Sequence, residues 1–382
     1  MKEVLLNFQW GVKMKITDMK IQVIKRDPPV SQEVGPRYGG ISFLDELYEV
    51  PLVTIETDDG IEGNSFGSNG VALAQYLAKL RPLLLGEDPL CRERIWQKLW
   101  EQSRILFLPQ TALGVIDVAL WDIGGKVANL PIYKLLGAYR NKVKAYASST
   151  QRPSPESYAQ EALELKAKGF TGYKLHIPGI PSRDLEICRV VRKAVGDDML
   201  LMLDPVARYD REQALMVGRE LERLNFYWYE EPISDFDIDG LAQLCSALDI
   251  PIAGLEVRPG NFYAIKEYLV RGAVDIVRSD VQFNGGITQL RKVAALAEAF
   301  GMRCEIHTNF NPLMNAANLH VTCSIKNCEF YEWWVPEKLM WDFGVKETLM
   351  VDSEGYVHVP KGPGLGMEVD WEYVNTHTIA TL

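Results

Sequence analysis

Lys174 with His176, Asp204, Glu230, Glu256, Asp280, His307 and Glu332 stand 24–30 residues apart, each at or near the end of a short apolar run. If the runs are parallel strands of a barrel, their C-terminal ends all open on one mouth, the face where barrel active sites lie. For any one of these residues a solvated strand-end charge is the ordinary expectation. Seven such positions in register differ, because converging buried charge is costly without a bound ion or partner groups. Asp204, Glu230 and Glu256 come from three successive runs. Three hard oxygen donors with no cysteine among them suit Mg²⁺, which keeps positions open for water or substrate oxygens. Lys174 and His176 are two apart, so on a strand both point to the same side. Asp280 and His307 fall on adjacent runs; a carboxylate beside an imidazole fixes its tautomer and gives an acid/base group near neutral pH. The bland counterparts are unrelated surface acids, a snorkelling lysine beside a satisfied histidine, and a core histidine.

The elements that must position these groups follow from the rhythm of the chain. After Leu136, strand-like runs at 142–149, 170–177, 199–206, 225–233, 250–257, 274–281, 302–309 and 328–334 alternate with amphipathic helical segments. Segments such as 154–169 and 286–301 carry a cap or turn signal in front and Gly behind. This alternation predicts parallel βα units closing into a (β/α) barrel. The first third reads as a small α+β domain: an alternating strand from Met14, a Pro/Gly-rich stretch at 27–40, a hairpin turning at Asp58-Asp59-Gly60, and helices from Val71 to Asn129. Residues 62–70 read as a mobile loop. Beyond about Thr348 the alternation stops, and the chain is expected to return to the first domain.

Lys and Arg total 41 against 51 Asp and Glu, a net charge of −10, which argues against a nucleic-acid partner. Hydrophobic residues make up 47% of the chain, ordinary for a folded protein. Cysteines 91, 188, 245, 304, 323 and 328 form no CxxC pair and are too sparse for a disulfide framework. No run is long enough to span a membrane, and the opening residues lack a convincing signal-peptide pattern, so a cytoplasmic location is expected. His320, His358 and His377 have no partner motif and read as structural. Trp333, Trp334 and Trp341 read as packing, with Trp333 or Trp334 placed to line the mouth. Glu231, just before Pro232, either faces away from Glu230 or braces it.

The segments TALGVIDVALWDIGGKVANLPIYKLLGA (111–138), GYKLH (172–176), LMLDPVARY (201–209), YEEP (229–232), SDVQFNGGIT (279–288), EIHTN (305–309) and EFYE (329–332) together resemble the enolase superfamily, in its mandelate racemase/muconate-lactonizing branch. The resemblance runs from about Met14 to the end. It implies α/β architecture, a (β/α)₇β barrel at 140–348 under an α+β capping domain at 14–135 plus about 350–382. It implies Mg²⁺ on Asp204, Glu230 and Glu256, His307 oriented by Asp280 as acid/base on one face of the substrate, Lys174 either on the other side or in contact with the carboxylate, and Glu332 on a substrate carboxylate oxygen. Two positions depart from the pattern. Lys174-Leu175-His176 stands where many relatives have Lys-x-Lys, and Leu255 stands before Glu256 where Gly is usual. A homo-oligomer is expected.

The chemistry of such a site is removal of a weakly acidic proton α to a carboxylate, with a cation and hydrogen-bond donors stabilising the enediolate. Loss of a β-hydroxyl gives a 2-keto-3-deoxy acid; return of the proton on the opposite face gives racemisation or epimerisation. Polar residues in the two first-domain loops (Arg37 and Tyr38; Asn64, Ser65, Ser68 and Asn69) favour a sugar acid, aldonate or aldarate, and hence a dehydratase. A non-catalytic carboxylate-binding barrel is the remaining alternative.

Overall fold

The computed structural model describes residues 14–26, 37–38, 41–42, 48–257, 261–308, 311–336 and 343–382. The opening 13 residues, the stretch 27–36 and Trp341 lie outside them, and no side-chain placement is described for Arg37 or Tyr38.

The first domain begins with β1 (Ile16–Lys25), whose alternating burial puts Met19, Ile21 and Val23 inside. A short ladder joins β2 (Arg37–Tyr38) to β3 (Ile41–Ser42). β4 (Glu49–Thr57) and β5 (Glu62–Phe66) form the expected hairpin, with Gly60 at φ 75° in the turn, a conformation only glycine adopts without strain. β1 pairs antiparallel with β4. The segment 62–70 is therefore not a loose loop: its first half is a buried strand. Two of the polar residues of that strand are spent internally, with Asn64 accepting from Thr54 and Ser65 donating to the Val115 carbonyl. Helices α1 (Gly70–Leu84), α2 (Arg92–Leu106) and α3 (Gln110–Ala128) complete the layer, followed by one turn, α4 (Ile132–Leu135).

α3 is buried on every face from Ala112 to Gly125, as a helix sandwiched between layers must be. On one side Asp122 accepts the Asn64 N–H (3.0 Å). On another, Asp117 accepts both the backbone N–H (2.9 Å) and the hydroxyl (2.6 Å) of Thr288. A Cβ at Gly114 would sit 2.5 Å from the Val281 carbonyl oxygen, so glycine is what lets α3 approach the barrel this closely.

The barrel strands are β6 (Lys142–Ser148), β7 (Gly172–His176), β8 (Leu200–Asp204), β9 (Trp228–Glu230), β10 (Ile252–Gly254), β11 (Ile276–Ser279), β12 (Arg303–Ile306) and β13 (Phe330–Trp334). Seven helices alternate with them: α5 (Pro155–Ala167), α6 (Pro181–Val195), α7 (Arg211–Arg223), α8 (Ile238–Ala247), α9 (Phe262–Arg271), α10 (Ile287–Ala299) and α11 (Pro312–Thr322). The strands are parallel in the order β12-β11-β10-β9-β8-β7-β6-β13, giving the (β/α)₇β barrel. Local signals start the helices where expected: Ser154 and Asp210 make capping boxes, and Asn261 and Asn311 cap with their side chains.

Between β12 and β13 the ladder is replaced by side chains. Glu305 accepts the N–H groups of Glu329 (3.1 Å) and Phe330 (3.2 Å), and the Thr308 hydroxyl donates to the Glu332 carbonyl (3.0 Å). Tyr146, Met202, Trp228, Ala253, Ile276 and Phe330 pack together inside the barrel. Four of them stand two residues before Asp204, Glu230, Arg278 and Glu332, and so form the apolar floor below those groups.

The end of the chain divides. β14 (Tyr356–His358) pairs with β6 of the barrel, whereas β15 (Thr378–Thr381), after α12 (Trp371–His377), pairs with β1. All six cysteines are free thiols. Among the described residues, no helix is long and apolar enough to cross a membrane.

Candidate active site

The C-terminal ends of β7 to β13 bring the expected residues to one mouth. Lys174 lies wholly buried, its Nζ 2.7 Å from Glu230 Oε1, 2.8 Å from Glu332 Oε1 and 3.5 Å from Asp204 Oδ2. His176, two residues on, reaches the same Asp204 oxygen with Nε2 at 3.2 Å. Its Nδ1 is 2.6 Å from the Ser149 carbonyl oxygen, an acceptor only, so Nδ1 donates and Nε2 is the nitrogen turned to the site. Trp334 stacks on His176 with centroids 4.9 Å apart and presents its plane edgewise to His307 at 6.4 Å. This tryptophan therefore lines the mouth, while Trp333 is buried in the core.

His307 Nδ1 lies 2.7 Å from Asp280 Oδ2, and Nε2 faces Glu256 Oε1 at 3.8 Å. Asp280 is itself held by the Phe283 N–H (2.6 Å), and the Phe283 ring stacks on His307. Burial alone would lower the His307 pKa. The charge on Glu256 and the hydrogen bond that Nδ1 donates to Asp280 outweigh it, holding the imidazole up at about 9. The expected orientation of His307 by Asp280 is thus present as geometry.

A residue absent from the sequence reading organises the centre. Arg278 is fully buried; its Nε lies 3.0 Å from Glu230 Oε1, and its Nη2 lies 2.7 Å from Glu332 Oε2 and 3.4 Å from Glu256 Oε2. Lys174 and Arg278 thus share both Glu230 and Glu332, closing a ring of alternating charge. Burial would raise the Glu332 carboxyl, but Lys174 and Arg278 hold it well below the usual range. With Oε1 beside the Lys174 ammonium and Oε2 accepting from Arg278, Glu332 acts in this arrangement as the holder of the two cations. The signal for Arg278 was its place two residues before Asp280, which on a strand points both inward. Trp228 was missed in the same way; its indole N–H donates to Glu230 Oε2 (2.9 Å).

Asp204 is anchored by the Val206 N–H (2.7 Å). Burial would raise its carboxyl, yet the His176 ring and Lys174 bring it down to about 2. Burial pushes Glu256 up to about 6, against the pull of His307 and Arg278. Its backbone is turned to the mouth by Leu255, a fully buried residue at φ 84° that occupies the left-handed region glycine favours. Glu231 does not hydrogen-bond Glu230, and its Cγ lies 3.8 Å from the place a Cβ on Gly254 would take, on the face opposite the inward Ala253. It is buried, and burial followed by the charges of Glu256, Asp235 and Asp204 pushes its carboxyl well up.

Among the described residues, no three acid, imidazole or thiol side chains close on one point in the manner of a finished metal site. The oxygens of Asp204, Glu230 and Glu256 turn to Lys174, His176 and Arg278. Their chemistry nevertheless fits a hard divalent cation: the donors are all carboxylate oxygens on three neighbouring strands. The carboxyls of Asp204, Glu230, Glu231, Glu256, Asp280 and Glu332 also outnumber the cations Lys174, Arg278 and His307.

A parallel barrel with acid-lined strand ends beneath an α+β layer defines the class of protein. The chain matches the family model described as enolase C-terminal domain-like over residues 157–374, and that of the mandelate racemase/muconate lactonizing enzyme N-terminal domain over 46–137. It belongs to the enolase superfamily, in that branch. Arabinonate dehydratase of Saccharolobus solfataricus is 33% identical over 84% of this chain and 88% of its own length. L-talarate/galactarate dehydratase of Salmonella typhimurium is 34% identical over 68% of each chain. The structure of D-glucarate dehydratase from Agrobacterium tumefaciens, complexed with magnesium, is 36% identical, with a TM-score of 0.86 over 97% of this chain and 100% of that one.

Proposed function

We propose that this protein is a Mg²⁺-dependent dehydratase of a sugar acid, an aldonate or aldarate. The observation that carries the reading is the buried His307–Asp280 pair, facing the carboxylate cluster from one side while Lys174 and His176 face it from another. The names of the relatives support a hydroxylated acid as substrate.

Asp204, Glu230 and Glu256 would hold the cation. When bound, Mg²⁺ supplies positive charge where the substrate carboxylate becomes an enediolate. The chain's own residues do the rest. Lys174 adds a fixed positive charge from β7, held in place by Glu332 and Glu230. The α-proton passes to the unprotonated Nε2 of His176, since the Lys174 ammonium has no lone pair to receive it, and the C–H electron pair becomes the C–C double bond. The C–O bond at the β carbon breaks as His307 delivers a proton from Nε2, so the hydroxyl departs as water. The enol then takes a proton at C3 and gives up its C2 hydroxyl proton to yield the 2-keto-3-deoxy acid. Asp280 keeps Nδ1 protonated and therefore keeps Nε2 as the nitrogen facing the site. The apolar floor and the Trp334 ring exclude bulk water around the reacting carbons.

The test is a panel of mono- and diacid sugars with Mg²⁺, assayed for a 2-keto product. A positive compound fixes reaction and substrate together. Failure of the whole panel would overturn the reading, and α-hydrogen exchange in deuterated solvent without loss of water would replace it with racemisation or epimerisation.

A further inference from the structure

The stretch that follows β11 has one side against the capping domain and the other at the mouth. Residues 280–286 belong to no helix or strand, so their shape is set by what anchors them. On the capping side, Gly114 of α3 lets the Val281 carbonyl come close. Trp96 of α2 donates its indole N–H to the Gly285 carbonyl (2.7 Å). Asp117 of α3 takes the Thr288 N–H on Oδ2 and the Thr288 hydroxyl on Oδ1, and Trp121 donates to that same hydroxyl oxygen (2.9 Å). Gly286 stands between these contacts at φ 99°, where a Cβ would lie 2.3 Å from Asp117 Oδ2. Trp96, Asp117 and Thr288 are all buried, so water does not replace a partner lost here.

At the mouth the same stretch holds the acid/base pair. The Phe283 N–H donates to Asp280 Oδ1 (2.6 Å), which leaves Oδ2 for His307 Nδ1 at 2.7 Å. The Phe283 ring stacks on the imidazole with centroids 5.6 Å apart. Asn284, the next residue, donates to the Glu256 carbonyl (3.0 Å). Phe283 thus touches both members of the pair, and Gly285, two residues on, is where Trp96 grips the chain. We propose that Asp117 and Trp96 are positioning residues for the His307–Asp280 pair, acting through residues 281–288. By fixing the far side of the stretch they set where the Phe283 N–H holds the carboxylate and where its ring holds the imidazole. Small misplacements of a proton-transfer group cost rate steeply. The placement itself is independent of the reaction; its effect on rate rests on the dehydratase reading above.

The experiment follows the His307 Nδ1 proton by NMR in the full-length protein. The chain has 5 histidines, so selective ¹⁵N-histidine labelling isolates it, and its loss in His307→Gln assigns it. Its exchange with solvent is compared in the parent, Asp117→Asn, Trp96→Phe and Asp122→Asn. Asp122 is the control: a buried carboxylate on the same helix that accepts the Asn64 and Leu365 N–H groups, away from this stretch. Trp96→Phe keeps a ring in place and answers the question even if Asp117→Asn fails to fold. Exchange should quicken about tenfold in Asp117→Asn and Trp96→Phe, the equivalent of one net hydrogen bond, and stay unchanged in Asp122→Asn. With a substrate from the sugar-acid panel, kcat should fall by a similar factor in the same two variants while KM changes little. Unchanged exchange in either variant would overturn the inference, as would faster exchange with unchanged kcat. Equal quickening in Asp122→Asn would mean that α3 had loosened as a whole, and would overturn it too. A parent with no such proton would remove the pair and the inference together. A panel without any substrate would overturn the proposed reaction alone, because the exchange comparison still decides the positioning.

Discussion

Replacing Arg278 by Gln tests whether the ring of alternating charge is what makes the barrel interior tolerable to so many acids. The guanidinium serves Glu230 at 3.0 Å and Glu332 at 2.7 Å, and touches Glu256 at 3.4 Å. Removing one member of a buried ion pair costs about 3–5 kcal/mol, because the partner charge stays buried without compensation. Glu230 and Glu332 would each keep Lys174, at 2.7 and 2.8 Å, so the loss is expected near the lower end, about 3 kcal/mol. Urea unfolding followed by tryptophan fluorescence reads this directly. The ring also predicts non-additivity. Glu332→Gln removes the charge that Arg278 neutralises, so the double variant should be more stable than the summed single losses imply, by about 1–3 kcal/mol. A loss below about 1 kcal/mol in Arg278→Gln, the scale of an exposed ion pair, would refute the reasoning. Strict additivity in the double variant would refute it equally, since the two residues would then act on separate surroundings.

His307→Asn should lower kcat at least about 10²-fold with far-ultraviolet circular dichroism unchanged, and a loss under about tenfold would remove His307 from proton transfer. His320 offers a pH test away from the mouth. Its Nδ1 accepts the Tyr133 N–H (3.2 Å), its Nε2 donates to the Leu365 carbonyl (3.0 Å), and burial holds its pKa down to about 4, below the ordinary 6.5. The unfolded chain therefore takes up a proton first as pH falls. Stability present above 6.5 is lost toward 4, by about 2 kcal/mol between pH 7 and pH 5. His320→Gln should lose that much less over the same interval, and parallel stability curves would show the ring contributes no such slope. Ser68→Ala removes the acceptor of Gln282 Nε2 (2.7 Å), the link between the end of β5 and the loop after β11. It should cost about 1 kcal/mol and raise KM with kcat unchanged, whereas an equal fall in kcat and kcat/KM would place the link in the transition state.

Period and punctuation made the barrel readable. Each βα unit is a local pattern of an apolar run, a cap such as Ser154 or Asn311, and a helix. Parallel strands buried on both faces give runs too uniform to mistake for surface segments. The strand-end residues were readable for the same reason, because a position relative to a strand end becomes a position in space once the strands are parallel. Segment 62–70 was misjudged because glycine and small polar residues suit a loop and a packed strand equally. Asn64 and Ser65 take their meaning from Thr54 and Val115, which only the folded hairpin and α3 bring near.

Arg278 and Glu231 mark two different limits. Arg278 obeys the strand alternation, and its inward direction could have been counted from Asp280. What concealed it is the expectation that a long cation in a strand reaches solvent, an expectation that fails wherever enough buried acid is present to hold it. Glu231 breaks the extended backbone, with a left-handed φ of 37° directly after Glu230 and its Cγ 3.8 Å from the place a Cβ on Gly254 would take. No period in the sequence encodes that turn. It follows from the hydrogen bonds that tie Glu231 to Ala253 and Ala207, residues of two neighbouring βα units. At this mouth the charge carriers on the strands follow from local pattern, and the charge just beyond a strand end depends on contacts between units.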